Sequence, residues 1–408
     1  MVRGCLTIAV GVLLTFCAPA SGQSQSTEEN PPTTRAEVLR RAREARALAD
    51  HKPNPAERAF SLAEGHLMPL LMRDGIHWKL GSLTTGSGFA YGAGYRNRRL
   101  FDREGAFTVW AAGSLKQYRA VEARLEFPNL ADSKLSVGGY GRYHTYPQEA
   151  FFGIGPDSSA ADWSTFRMTN TFFGAYGGVR PWRSTLFGAA VDVLAPRIGP
   201  GTTDNVPPID SLFNESTAPG LVGEHNFTRT AGFVDVDYRY PKYPRRGGRY
   251  RFDVSHYWDR TGAFDFVRVD ADLRQFISAF AERRVVALRL FASTSEPVSG
   301  GEIPFYLMPW LGGHDTLRGH LDYRFRGAHA MLAQAEYRWE IWSGLDAALF
   351  YDTGKVADRR ADLNFRDLNN VYGVGFRFNT DNGVIARVDV GFGSGEGTRV
   401  FIVFGDVF

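Results

Sequence analysis

The sequence predicts an all-β fold: a transmembrane antiparallel β-barrel of about 16 strands, preceded by a short helical or disordered N-terminal extension. Three observations carry this. From about Ile76 onward apolar and charged residues alternate with period two, which gives each segment one apolar and one strongly polar face. The connections between segments are short on one rim and long on the other, the asymmetry of outer-membrane barrels. After the first twenty residues nothing approaches the run of roughly eighteen apolar residues that a membrane-spanning helix needs, while 45 glycines and 14% aromatics suit closely packed strands with interfacial girdles.

Residues 1–22 read as a secretory signal peptide. Arg3 supplies the positive start, Leu6 to Cys17 the apolar run, and Ala18, Ala20 and Gly22 the small residues for cleavage. Both cysteines, Cys5 and Cys17, lie in this segment, so the exported chain is expected to hold no disulfide and no thiolate metal site. Residues 23–75 are assigned to a periplasmic extension. Its stretch from Thr34 to Asp50 has helical spacing, with Val38, Leu39, Ala42, Ala45 and Leu48 set among arginines.

The barrel is assigned to 76–408. Its first eight strands are placed at 76–84, 86–96, 105–117, 120–128, 134–146, 165–178, 184–195 and 229–240. The second eight follow at 249–258, 264–276, 283–293, 329–340, 345–354, 371–380, 383–393 and 398–408. In the fourth, Val121, Ala123, Leu125 and Phe127 alternate with Glu122, Arg124 and Glu126; in the tenth, Val267, Val269, Ala271 and Leu273 alternate with Arg268, Asp270, Asp272 and Arg274. With a periplasmic N-terminus, turns after even-numbered strands are short, as from Gly178 to Ser184. Loops after odd-numbered strands include 146–165, 195–229, 294–328 and 354–371. The last strand sets Val400, Ile402 and Phe404 on one face and stops at Phe408, read as the C-terminal barrel signal. A soluble sandwich could show the same alternation with its charged face in water; the rims and the terminal strand favour the barrel.

Motifs for chemistry are missing. There is no His-Glu-x-x-His, no Gly-x-Ser-x-Gly elbow and no Gly-Lys-Ser/Thr phosphate loop. The nine histidines have no ligand spacing, and a net charge of +3 makes no case for nucleic acid. The expectation is a protein that is not an enzyme and uses no cofactor and no metal.

Three segments go beyond a generic barrel. Residues Leu311-Gly312-Gly313-His314-Asp315-Thr316-Leu317-Arg318-Gly319-His320 resemble the sixth extracellular loop of the Omp85 superfamily, also called the bacterial surface antigen (D15) family. That loop has a Gly-Gly stretch and an Arg-Gly-aromatic tip, with His320 here in the aromatic place. Leu349 to Val356, containing Asp352 and Gly354, is similar to the family strand with an inward Asp followed by Gly. Gly373-Val374-Gly375-Phe376-Arg377-Phe378 is similar to its Gly-x-Gly-x-Arg strand, and Phe151 to Ser158 resembles a further family loop.

The resemblance implies that the sixth loop enters the lumen and that Arg318 pairs with acids on the inner wall. Strand parity points independently to Glu336 and Asp352: Gln334, Glu336, Arg338 and Glu340 share one face, Asp346 and Asp352 one face of the next strand. A guanidinium fork met by carboxylates is suited to pin a loop. The family further implies a protein of the outer membrane that assists insertion or translocation of proteins, or of lipids. Partners would be outer-membrane lipid, unfolded protein clients and a separate periplasmic protein, since residues 23–75 are too few for a complete POTRA domain. A passive channel or structural barrel, and a receptor or adhesin displaying its long loops, are the alternative readings.

Overall fold

The computed structural model describes residues 74–403 apart from 102–104, 204, 240–244, 280–282, 299, 343, 381–382 and 394. The expected signal peptide, the helix from Thr34 to Asp50 and the terminal Phe408 lie outside the described residues.

Eighteen strands follow one another among the described residues: β1 (Gly75–Gly81), β2 (Ala90–Leu100), β3 (Gly105–Ser114), β4 (Arg119–Asn129), β5 (Leu135–Phe151), β6 (Ser164–Trp182), β7 (Thr185–Pro200), β8 (Phe227–Asp237) and β9 (Gly247–Asp259). Then come β10 (Asp265–Ala279), β11 (Arg284–Pro297), β12 (Trp310–Leu311), β13 (Phe325–Arg326), β14 (His329–Trp342), β15 (Leu345–Ala357), β16 (Asn369–Thr380), β17 (Gly383–Gly393) and β18 (Gly397–Val403). All but β12 and β13 form one antiparallel sheet of 16 strands in chain order, curled into a nearly closed barrel. The short pair β12–β13 lies within the loop that joins β11 to β14.

Each of the sixteen expected strands corresponds to one wall strand. The differences are at the long-loop rim, where β5, β6 and β7 run on to Phe151, back to Ser164 and on to Pro200. Here the hairpins rise beyond the alternating region and continue their ladders, as in Phe151↔Ser164 and Phe166↔Pro200. At the other end of the sheet 82–89 form a loop, so β2 starts at Ala90 rather than near Gly86, where positive φ at Gly86 and Gly88 interrupts the strand.

Burial is inverted relative to a soluble sandwich. Outward positions such as Trp78, Phe173, Val191, Leu290, Tyr372, Val400 and Ile402 are exposed, while Asp192, Arg289, Glu336, Arg377 and Asp389 face inward and are buried. An apolar exterior around a charged interior is the membrane-barrel arrangement. Among the described residues no helix is long and apolar enough to cross a membrane.

The long-loop rim is roofed. Ile209 and Ala218 from 201–226, Phe305 and Tyr306 from 298–328, and Phe151, Phe166, Phe227 and Phe264 from the strand ends pack into one apolar cluster. Arg326 ties this roof down by donating from Nη1 to the Phe305 carbonyl at 2.8 Å.

Candidate functional site

The β11–β14 loop turns into the barrel after the roof. Its entry needs Gly312 and Gly313, at φ +112° and +89°: a Cβ on Gly312 would collide with the Leu321 carbonyl, and one on Gly313 would lie 2.6 Å from both Asp322 Oδ1 and Thr85 Cγ2. Thr316 closes the turn by accepting from the Gly312 amide at 2.8 Å. This carries Arg318 to the inner wall, where it is completely buried.

Register sets the receiving surface. Along β14 and β15 the pairs Gln334↔Asp352 and Glu336↔Phe350 place these four side chains together on the inner face. Phe350 in turn faces Gly373, and Gly373 faces Gly391. A large inward ring thus lies beside two positions without side chains, and a Cβ at Gly373 would strike it. The Arg318 guanidinium sits on this ring, 3.6 Å from its centroid. Gly391 and Gly393 form the floor under the loop tip: a Cβ at Gly391 would collide with the Arg318 carbonyl, and one at Gly393 would lie 2.5 Å from the Gly319 carbonyl. Gly319 itself meets the Gly393 backbone.

Arg318 reaches both carboxylates expected from strand parity. Nε and Nη2 donate to Asp352 at 2.8 and 2.7 Å, and Nη1 donates to Glu336 Oε2 at 2.7 Å. The Arg318 amide adds a bond to Asp352 at 3.2 Å. Gln334 completes Asp352 at 3.1 Å and also holds the Thr316 carbonyl at 2.8 Å. This is the bidentate charge-assisted geometry that gives both strength and orientation.

Arg377, singled out only as part of a strand motif, belongs to the same cluster. It donates to Glu336 at 3.0 and 2.7 Å and to Asp389 at 2.6 Å. Arg338 donates to Glu336 Oε1 at 2.7 Å. Arg387 links Asp389 at 3.1 Å to the loop, through the His314 carbonyl and Asp315 Oδ1, both at 3.0 Å. Asp389, Arg387, Arg338, Gln334 and Phe350 were not picked out as site residues. Arg387 and Asp389 share the odd face of β17, so parity already placed them inward; it gave no hint of which cluster they join. Gly354 lies on the same wall, where a Cβ would lie 2.5 Å from the Met331 carbonyl, and Gly375 leaves room for the Arg377 and Asp389 side chains.

The loop is also held above its tip. Glu396, in the β17–β18 connection, accepts from Arg324 Nε and lies 3.2 Å from His320 Nδ1, the residue in the aromatic place of the family tip. Burial raises the Glu396 carboxyl, but His320 and Arg324 outweigh it and hold it at about 2. On the opposite side, Tyr323 bonds Thr84 at 2.7 Å and donates to Glu149 at 3.2 Å.

A second charged group, missed from the sequence, lies across the lumen. Arg229 donates to Asp192, to Asp253 at 2.9 Å and to Ser255 at 3.0 Å, and Tyr140 also donates to Asp192. It borders a cavity of about 650 Å³ between β8–β11 and the inserted loop, lined by paired arginines and aspartates such as Arg251, Asp272 and Arg289. No group of His, Cys, Asp or Glu suited to a metal occurs among the described residues.

Comparison with known proteins agrees with this architecture. Residues 240–399 match the Omp85 superfamily domain, so the resemblance read from 311–320, 349–356 and 373–378 holds for the segment that forms the cluster. Among solved structures the fold is similar to BamA from Haemophilus ducreyi lacking POTRA domains 1–3, with 13% identity, a TM-score of 0.60, and coverage of 81% of this chain and 69% of that one. It is also similar to CdiB from Acinetobacter baumannii (11% identity, TM-score 0.51, 81% of this chain and 59% of that one). CdiB from Escherichia coli gives 12% identity and a TM-score of 0.51, over 82% of this chain and 64% of that one. The chain thus spans less than two thirds of either CdiB. No curated protein matches it.

Proposed function

We propose that this Omp85-type barrel resides in the outer membrane and assists insertion or translocation of proteins, or of lipids, there. The observation that supports it most is the fully buried Arg318 on its carboxylates. A buried ion cluster is a poor device for stability alone, because desolvation offsets most of its attraction and apolar packing does as well. Its use is to fix one position, and what it fixes here is the inserted loop against β14–β17. The apolar exterior and charged lumen support the outer-membrane placement. Proposed partners are outer-membrane lipid, unfolded protein clients and a separate periplasmic protein. The reading involves no covalent step, no cofactor and no nucleic acid.

The test is a liposome assay in which an unfolded outer-membrane client folds in the presence of this protein or of an unrelated barrel of equal size. Faster folding that Arg318→Ala abolishes is the expected result. Equal rates would overturn the reading in favour of a passive channel or structural barrel. A receptor role is less favoured, because 201–226 and 298–328 bury large apolar residues in the roof.

A further inference from the structure

Away from the Arg318 cluster, a cavity of about 300 Å³ opens at the long-loop rim, where several loops and strand ends meet. Its volume is at the lower end for small-molecule sites, roughly 300–1,000 Å³, and accommodates one hexose ring. Two kinds of wall line it. One is aromatic: Phe152 is buried, and Trp163 stacks on it at 6.2 Å with 19° between the planes while staying 40% exposed, which leaves a flat apolar plate.

The other wall is polar. It carries the Asp322 carboxylate and the Thr203 hydroxyl. Burial pushes the Asp322 carboxyl up. Lys116 donates to the Gly86 carbonyl at 2.9 Å, and Asn205 adds an amide.

The chemistry narrows the ligand. Among the described lining residues one ammonium, Lys116, stands with one carboxylate, Asp322, which gives no net charge for a phosphate or a dication, and the polar wall is wrong for an acyl chain. An aromatic plate facing hydroxyl, amide and carboxylate groups matches a pyranose, whose C–H face is apolar and whose rim is all hydroxyls. We propose that this cavity binds one pyranose unit of a glycan, with its C–H face on Trp163 and its hydroxyls on Asp322 and Asn205. The proposal is independent of the assembly role.

Saturation-transfer NMR on the whole protein in a sugar-free detergent tests it, with glucose, galactose, N-acetylglucosamine and glucosamine as probes. Transfer to at least one sugar is expected, weakened roughly tenfold or more in Trp163→Ala and in Asp322→Asn, and unchanged in Phe365→Ala, an exposed side chain outside the cavity lining. Should Asp322→Asn fail to fold, Trp163→Ala decides alone, since that side chain is partly exposed. Transfer to none of the four sugars, or transfer undiminished in the folded variants, overturns the proposal and leaves a solvent-filled cavity.

Discussion

Replacing Arg318 with Ala removes three side-chain hydrogen bonds and the cation on the Phe350 ring, but it strands the two carboxylates unequally. Glu336 keeps Arg377 on both oxygens and Arg338 on one. Asp352 keeps only Gln334 and the amide of residue 318. Removing one partner of a buried pair costs about 3–5 kcal/mol, most of it from the charge left behind, and here that charge is Asp352. If the cost falls on loop docking, the undocked population rises by about 10²- to 10⁴-fold. Trypsin reads this population directly, because Arg324 and Arg326 are 6% and 3% exposed when the loop is seated. Arg318→Ala should therefore be cut within 298–328 much faster than the parent, with the barrel still folded. Adding Asp352→Asn removes the stranded charge and should recover about 1–3 kcal/mol. Parent-like cleavage in Arg318→Ala, or no recovery in the double variant, would refute the reasoning.

Three further outcomes follow from the same geometry. Gly391→Ala and Gly393→Ala should lift the loop tip at a cost of about 1–3 kcal/mol each and reproduce the protease phenotype, whereas Gly232→Ala, with nothing within 4 Å of the added carbon, should not; equal cleavage in all three would contradict the floor. Arg229→Ala leaves Asp192 and Asp253 without their guanidinium and should lower barrel stability in urea by about 2–4 kcal/mol, yet leave cleavage at Arg324 unchanged, which separates the second cluster from the loop. Glu396 is held at about 2 against an ordinary value of 4.5, so its contribution is complete above about pH 4.5 and is lost as pH falls toward 2. Loop protection should decline across that window in the parent, and Glu396→Gln should lack that part of the decline; an identical acid profile would show that Glu396 does not hold the loop.

What was legible in the sequence is what is local. Period two is a property of neighbouring residues, so all sixteen wall strands, the two rims and the inward parity of Glu336, Asp352, Arg387 and Asp389 could be read directly. The family motif added the loop that would bring Arg318 to them. Parity gives the face of a residue but not its height or its neighbour around the wall, since those depend on register and tilt accumulated over several strands. Only the tertiary structure therefore joined Arg377 and Arg387 to the Arg318 cluster and set Phe350 opposite Gly373. The same holds for Gly391 and Gly393, which look like spacing in the strand and act as the floor beneath Gly319. The roof of Phe151, Phe166, Phe227 and Phe305, and the rim cavity with Trp163 and Asp322, are built largely from loops and strand ends, which carry no period. Their contacts are fixed by how distant segments close over the barrel, and that information exists only in the folded chain.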